Sequence, residues 1–206
     1  MGALCGCNNQ GQSVPEIVGN APHIILKPAL PAVPKVDSPL INRYSRGWIP
    51  PGHLENRRKW HGIVIHHSAV AYGDAAHENK YHKSLGWDGL GYHFVINNGV
   101  YKNGYGKRDG RVEVGYRWRK QENGSHCRSN GDRSNYWNKR TIGICLIGNF
   151  EKTRPTSRQM KSLVELVSFL QKRYNIPKSR IKAHSDIKAT KCPGKNFSMA
   201  GFKQML

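Results

Sequence analysis

Long apolar runs are missing from this chain of 206 residues, in which hydrophobic residues make up 37% of the total. No stretch approaches the ~18 consecutive apolar residues of a membrane-spanning helix, so the sequence predicts no such helix. Cysteine is scarce too: five residues, an odd number without framework spacing, argue against a disulfide scaffold. No internal repeat is present. The length then favours one well-buried domain preceded by an extension.

Acidic side chains are the second shortage, with 13 Asp and Glu against 33 Lys and Arg, a formal net charge of +20 and a pI of about 10.0. Such a surplus favours a polyanionic partner, which can be nucleic acid, an anionic membrane face or an anionic cell-wall polymer. Charge alone does not choose among the three. No helix-turn-helix, RNA-recognition or zinc-finger pattern is present, so we expect no nucleic-acid partner.

Residues 1–57 are predicted to form an N-terminal extension and linker, and residues 58–206 the folded domain. Five prolines fall between residues 10 and 37 without any sustained periodicity, as in an extended linker. Leu4-Cys5-Gly6-Cys7 resembles the end of a bacterial lipoprotein signal, with Cys7 as the lipidated residue. The charged and apolar regions that precede such a signal are absent. Two alternatives follow: a gene start placed too late, with a membrane tether through Cys7, or a chance match.

The order of strand and helix patterns after this extension predicts an α/β domain, a central mixed sheet flanked by helices. Strands are expected from their β-branched, aromatic or continuous apolar content at 60–67, 91–97, 141–147 and 181–183. Asn98-Gly99 predicts a hairpin whose return strand begins at Val100-Tyr101.

The helices are predicted by their caps. Asp74 is a plausible N-cap for a helix over 75–85. Thr156 and Gln159 have the spacing of a capping box before an apolar stripe that ends at Tyr174. Residues 102–139 are rich in Gly, Asn, Arg and Ser, which is typical of a large surface loop system, with one short strand near 112–114.

The clearest signal of a site lies between Arg180 and Gly194. His184 follows a short apolar alternation, and Cys192 precedes a Pro-Gly turn, so the two side chains can converge. Imidazole and thiolate are both good zinc ligands, but two ligands do not make a site. The obvious third donor is the predicted strand that ends in His66 and His67. Adjacent strand residues point to opposite faces, so only one of these histidines can easily face a metal.

Several motifs together resemble the zinc amidases of the type-2 N-acetylmuramoyl-L-alanine amidase family, which shares its fold with the peptidoglycan-recognition proteins. The resemblance covers about residue 58 to the C-terminus, with the motifs in the same order. They are Val64-Ile-His-His-Ser-Ala69, Gly86-Trp87, Gly91-Tyr-His-Phe94, Gly124-Ser-His126, Ile142-Gly-Ile-Cys-Leu-Ile-Gly148 and the stretch from His184 to Cys192.

This resemblance implies three ligands for one zinc ion per chain: His66, His184 and Cys192. Three protein ligands leave a fourth tetrahedral position for water, which is the catalytic arrangement. Zinc lowers the pKa of that water to ~7 and polarises the scissile carbonyl.

The resemblance also implies roles for three further residues. Tyr92 matches a family tyrosine beside the zinc, whose hydroxyl can donate to a developing oxyanion. Thr190 matches a position that carries Lys or Thr in the family, and here its hydroxyl can bond substrate or water but cannot act as a cation. His126 matches a residue that lines the substrate groove.

The function expected from this resemblance is zinc-dependent hydrolysis of the amide between N-acetylmuramic acid and L-alanine. Peptidoglycan or a muropeptide would be the substrate, the cell envelope or the exterior the location, and a monomer the form. The alternative is a peptidoglycan-binding module without catalysis, against which the three retained ligands speak.

Overall fold

The computed structural model describes residues 45–54, 58–128 and 131–206. Cys7 and the proline-rich stretch lie outside these ranges, so the predictions made for them stay predictions. Among the described residues, no helix combines the length and the apolar character that crossing a bilayer requires.

Five strands form one mixed sheet in the order β3-β2-β4-β1-β5. Parallel pairing joins β2 to β4, β4 to β1 and β1 to β5, while β3 runs antiparallel to β2. The strands are β1 Gly62–His67, β2 Phe94–Ile96, β3 Val112–Val114, β4 Thr141–Leu146 and β5 Ile181–Ala183. The predicted mixed α/β fold is therefore confirmed.

Burial explains the centre of the sheet. Every residue of β1 and of β4 is buried, which explains why their apolar residues are consecutive, over 63–65 and 142–146, and do not alternate with polar ones. The helices that flank the sheet are α1 Ala75–Ser84, α2 Tyr116–Arg119, α3 Tyr136–Arg140, α4 Ser157–Tyr174 and α5 Met199–Gln204.

The longest helix, α4, begins as its sequence predicts. The Thr156 hydroxyl accepts a hydrogen bond from the backbone N–H of Gln159, and the Gln159 side chain accepts from that of Thr156. The amide of Gln159 also donates to the carbonyls of Ile96 and Ile147, at the ends of β2 and β4. The capping box therefore both starts the helix and fastens it to the sheet.

The predicted hairpin at Asn98-Gly99 is wrong. The return strand is β3, with Phe94 opposite Val114, and no strand begins at Val100. The excursion over 98–110 is closed at its base by backbone hydrogen bonds between Asn97 and Arg111 and between Gly110 and Asn97. Asp74 accepts from Gly106 N and so draws the loop toward α1, a long-range contact that a turn signal cannot reveal.

Residues before the predicted domain start also contribute to the core. Trp48 is buried, its carbonyl accepts a 2.8 Å hydrogen bond from the indole of Trp118, and its ring packs edge-on against Phe169. The long segment 102–139 holds the predicted short strand. It also holds α2 and most of α3, and these two helices were not predicted from the sequence. The C-terminal helix α5 was not predicted either.

Candidate metal centre

The three predicted ligands converge at one edge of the sheet. His66 lies near the carboxyl end of β1, and His184 follows directly after the neighbouring strand β5, in a short 3-10 turn, His184–Asp186. Side chains at the carboxyl ends of adjacent parallel strands meet at the same edge, which is where α/β folds place their sites.

The loop after β5 returns to bring Cys192 beside the two histidines. The Cys192 carbonyl accepts a hydrogen bond from Ser185 N at 2.9 Å, and the Cys192 sulfur accepts one from the backbone N–H of His67 at 3.3 Å. Asp186 braces the start of the loop by accepting from Ala183 N at 2.9 Å. One ligand atom from each of His66, His184 and Cys192 lies within 4.8 Å of the other two.

These donors fit a zinc ion. Nδ1 of His66 lies 3.7 Å from Sγ of Cys192, and Nε2 of His184 is buried without a hydrogen-bond partner among the described residues. A buried nitrogen that lacks a partner is costly unless it binds something. Two imidazole nitrogens and one sulfur form a donor set that zinc prefers.

Burial controls the protonation of the three ligands. It lowers the pKa of His66 well below its usual range, with smaller contributions from His126 and His184, and it lowers the pKa of His184 to about 4. Both rings are therefore neutral at pH 7, as metal ligands must be. Burial raises the pKa of the Cys192 thiol to about 12, so a bound cation has to displace its proton.

Tyr92 lies beside this site, with its ring centroid 5.2 Å from that of His66. Burial raises the pKa of its phenol well above the usual value, and the neighbouring thiols of Cys145 and Cys192 add to that effect. The hydroxyl is therefore a hydrogen-bond donor throughout the neutral range. Cys145 belongs to β4, where it pairs in register with His66 of β1.

Thr190 is exposed, and its hydroxyl accepts a 3.3 Å hydrogen bond from the backbone N–H of Cys192. This contact shapes the turn that carries the sulfur ligand. It leaves the hydroxyl proton of Thr190 free to bond to a molecule at the site, because the contact uses only a lone pair.

His126 is not on an open groove surface, which is where a residue lining the substrate groove was expected. It is 6% exposed, and its Nδ1 lies 3.1 Å from Nε2 of His66, on the side of that ring away from Cys192. Burial lowers the pKa of His126 to about 3, so its ring is neutral at pH 7.

Two neighbouring histidines, His67 and His93, make contacts with the backbone. Nδ1 of His67 accepts from Phe150 N at 3.1 Å, and Nδ1 of His93 accepts from Gly143 N at 2.9 Å. Both contacts tie a ring to the backbone, so each histidine has a structural partner.

Sequence reasoning missed His82. This residue of α1 is buried, its Nδ1 accepts from Gly91 N at 3.1 Å, and its ring lies 5.3 Å from that of Tyr92. It also stacks on Trp87 at 4.7 Å, and Trp87 is 40% exposed. Burial lowers the pKa of His82 to about 4.

The missed signal is a polar pair on the buried face of a helix. The buried residues of α1 are Glu78 and His82, four positions apart and thus on one face. A helix that turns a carboxylate and an imidazole inward departs from the usual apolar stripe, and this pattern marks it as part of a site.

Comparison with known proteins places these residues in a family. Residues 56–195 match the family model described as N-acetylmuramoyl-L-alanine amidase. The chain is 34% identical over 120 residues to an endolysin of Enterobacteria phage K11, covering 55% of this chain and 65% of the endolysin. It is 31% identical over 144 residues to peptidoglycan-recognition protein SC2 of Drosophila melanogaster, covering 65% of this chain and 68% of that protein.

A solved structure resembles the fold over a similar span. The endolysin N-acetylmuramoyl-L-alanine amidase LysCS from Clostridium intestinale URNW superposes with a TM-score of 0.58 at 32% identity, covering 71% of this chain and 82% of that one. The chain spans 65% of the length of the curated phage K11 endolysin that it matches, slightly less than two thirds.

Proposed function

The chain belongs to the N-acetylmuramoyl-L-alanine amidase family, and on that premise we propose that it hydrolyses the amide between N-acetylmuramic acid and L-alanine in peptidoglycan or muropeptides. The observation that carries the proposal is the convergence of His66, His184 and Cys192 within 4.8 Å, inside the segment that matches the family. The substrate lies in the cell envelope, so we place the activity there or outside the cell.

The three ligands would hold one zinc ion, which supplies Lewis-acid activation of a water molecule and of the scissile carbonyl. The protein contributes orientation. His66 is fixed by the strand that carries it, and Cys192 by the hydrogen bonds to its loop. The fourth position of the tetrahedron would stay open for reacting groups, since the chain supplies three ligand atoms there.

Tyr92 would donate a hydrogen bond to the oxygen on which negative charge develops. Its raised phenol pKa keeps the proton on the hydroxyl, and its ring lies beside that of His66, so it would be close to a carbonyl held by the metal. Thr190 would bond to the substrate or the attacking water through its remaining hydroxyl proton. Neither group is a strong acid near pH 7, so neither is assigned the proton that the leaving amine requires.

A second function has a specific observation in its favour. The likeness to peptidoglycan-recognition protein SC2, whose name describes recognition of peptidoglycan, supports a module whose role is to bind this polymer. The complete ligand set favours the enzyme, because binding a glycan does not need a nitrogen–sulfur metal site.

The test is mass spectrometry of purified peptidoglycan after incubation with the zinc-loaded protein, with and without a chelator. We expect release of peptides that begin with a free L-alanine amine, and loss of that release when the chelator is present. Cys192→Ala should lose both the zinc and the activity. Cys127→Ala, which removes another buried thiol, is the matched control and should keep both.

Three other results would each contradict a part of this proposal. Peptidoglycan that sediments with the protein but remains uncut would favour the binding module. Cleavage that persists in a chelator would remove the metal from the reaction. Stoichiometric zinc in Cys192→Ala would remove Cys192 from the ligand set.

A further inference from the structure

We infer that His126 is a positioning residue of the metal site: it fixes the ring proton of His66 on Nε2 and thereby keeps Nδ1 of His66 free as the ligand atom. This inference rests on the zinc site of the proposed function but not on the amidase reaction. A protein that holds zinc and cuts nothing would leave it intact.

The hydrogen-bond relay starts at a backbone carbonyl. The oxygen of Thr141 can only accept, so Nε2 of His126, 3.3 Å away, carries a proton and donates to it. The His126 ring is buried, and its hydrogen-bond partners among the described residues include no carboxylate that could balance a positive charge, so its Nδ1 carries no proton and accepts. Nε2 of His66 lies 3.1 Å from that atom and therefore donates.

The consequence falls on the other nitrogen of His66. A neutral imidazole with its proton on Nε2 has a lone pair on Nδ1. That Nδ1 is the atom that faces Cys192, at 3.7 Å from its sulfur. The carbonyl of Thr141 thus sets the direction of both hydrogen bonds, from His126 to Thr141 and from His66 to His126. The tautomer of His66 with its proton on Nδ1 is disfavoured.

The surroundings of His126 are shaped for this ring. A Cβ atom on Gly124 or on Gly143 would clash with it, so the two glycines form the walls of a slot. The side-chain oxygen of Asn138 accepts from the backbone N–H groups of His126 and Cys127, at 2.9 and 2.8 Å, and holds the segment in place. A loop histidine that merely filled space would not need hydrogen bonds to Thr141, His66 and Asn138.

Substitutions at His126 separate the relay from simple packing. His126→Leu removes both hydrogen bonds, and we expect zinc affinity, measured by competition with a chromophoric chelator, to fall roughly 10- to 100-fold. His126→Gln offers an amide oxygen and an amide N–H in place of the two ring nitrogens, and should recover most of the loss. His93→Leu is the matched control, because His93 is buried beside His126 but bonds Gly143 and Glu122 instead of His66.

A second measurement reads the proton directly. Long-range proton–nitrogen NMR of the zinc-loaded, nitrogen-15-labelled chain should show His66 with a proton on Nε2 and the metal on Nδ1. A proton on Nδ1 of His66 would overturn the inference, and so would wild-type zinc affinity in folded His126→Leu. Should that variant fail to fold, the wild-type spectrum and the affinity of His126→Gln still decide.

Discussion

At the scale of single residues, the molecule depends on an aromatic series that leads from the surface to the metal position. The exposed ring of Trp87 stacks on His82, His82 lies 5.3 Å from Tyr92, and Tyr92 lies 5.2 Å from His66. The Tyr92 ring is thus packed between the rings of His82 and His66. In the proposed reaction, a hydroxyl held by such packing would stabilise developing charge without reorganising.

The first prediction concerns the Tyr92 hydroxyl. Tyr92→Phe should lower turnover of muropeptide roughly 10- to 1000-fold, which is the usual effect of removing one positioned donor. Zinc content should not change, because the ring stays and the hydroxyl is not among the ligand atoms. Turnover is measured by chromatographic release of the peptide, and zinc by elemental analysis of the same samples.

The matched control for this prediction is Tyr116→Phe. Tyr116 packs against the same small apolar cluster as Tyr92, and its hydroxyl is buried without a hydrogen-bond partner among the described residues. Removing that hydroxyl should leave turnover unchanged. Equal turnover in the wild type and in Tyr92→Phe would return Tyr92 to a packing role.

Residue types and spacing predicted much of this site, and failed where a contact depends on the fold. His66, His184 and Cys192 could be named because the two histidines stood at predicted strand ends, the cysteine preceded a Pro-Gly turn, and all three matched a family pattern. The bond between His126 and His66 joins residues 60 positions apart, and depends on a slot between two glycines. Nothing in a linear sequence states that distance.

At the scale of elements, the start of α1 is joined to the 98–110 excursion through one buried carboxylate, that of Asp74. Asp74 is 1% exposed and accepts from His77 N at 2.9 Å, which caps the helix, and from Gly106 N at 3.0 Å, which anchors the 98–110 excursion. Its carboxylate also lies 3.4 Å from the ammonium of Lys107. The Asp74 carboxylate therefore joins the 98–110 excursion to the start of α1, the helix that carries the buried residues Glu78 and His82.

The second prediction tests this cap. Asp74→Ala leaves two N–H groups and one cation without their acceptor, so the free energy of unfolding should fall by about 2 to 4 kcal/mol in urea titrations at pH 7. Asp74→Asn keeps one acceptor oxygen and should lose less. Asp88→Asn is the control, because the Asp88 side chain is 88% exposed and lies 3.6 Å from Arg117. A loss in Asp88→Asn as large as that in Asp74→Ala would contradict the assignment.

The same carboxylate gives a pH dependence with a definite sign. Burial tends to raise the pKa of Asp74, but the hydrogen bonds from His77, Gly106 and Lys107 outweigh it and lower the pKa overall. A lowered folded pKa stabilises the protein above the unfolded value of ~3.9, and that stability disappears as the pH falls through the folded pKa. The difference in unfolding free energy between the wild type and Asp74→Asn should therefore shrink below about pH 4.

Elements with a strong local signal were predicted well, and those set by distant contacts were not. The capping box at Thr156 and the buried strands β1 and β4 could be predicted from local sequence patterns. Gly99 does adopt the positive φ that the Asn98-Gly99 turn signal predicts, with a value of 81°, but the turn does not close a hairpin. The anchor at Asp74 holds the chain for a wider excursion before it pairs as β3.

At the scale of the whole molecule, the formal net charge of +20 is unevenly distributed. Between residues 178 and 195 the chain carries six cations and one carboxylate, Asp186. Within the described part of the chain, the ion pairs of Lys and Arg are Lys107 with Asp74 and Arg117 with Asp88, so none of the six is paired there. The six cations are Lys178, Arg180, Lys182, Lys188, Lys191 and Lys195.

This basic segment runs along the free edge of the sheet to the metal ligands. On β5, Ile181 and Ala183 are buried while Lys182 points outward, and the loop beyond β5 carries His184 and Cys192. The segment contains no Phe, Tyr or Trp, so it lacks the stacking platform of single-stranded nucleic-acid sites. If the chain cleaves peptidoglycan as proposed, a charged edge beside its metal centre is suited to an anionic wall polymer.

The third prediction follows from this asymmetry. Sedimentation of the protein with purified sacculi that carry phosphodiester-linked polymers should weaken as salt rises, because salt screens exposed charges. The variant Lys178→Gln, Arg180→Gln, Lys182→Gln should bind about tenfold more weakly at low salt, since it removes three charges from one edge. Its control removes three charges from α4, at the exposed residues Arg158, Lys161 and Lys172, and should bind nearly as the wild type. Equal weakening by both variants would show that net charge acts without regard to place, and duplex DNA bound more tightly than sacculi would make nucleic acid the partner instead. Sacculi stripped of their phosphodiester polymers provide the last comparison: the salt dependence should vanish there, while cleavage of the peptidoglycan itself remains, because the metal site and the basic edge use different parts of the wall.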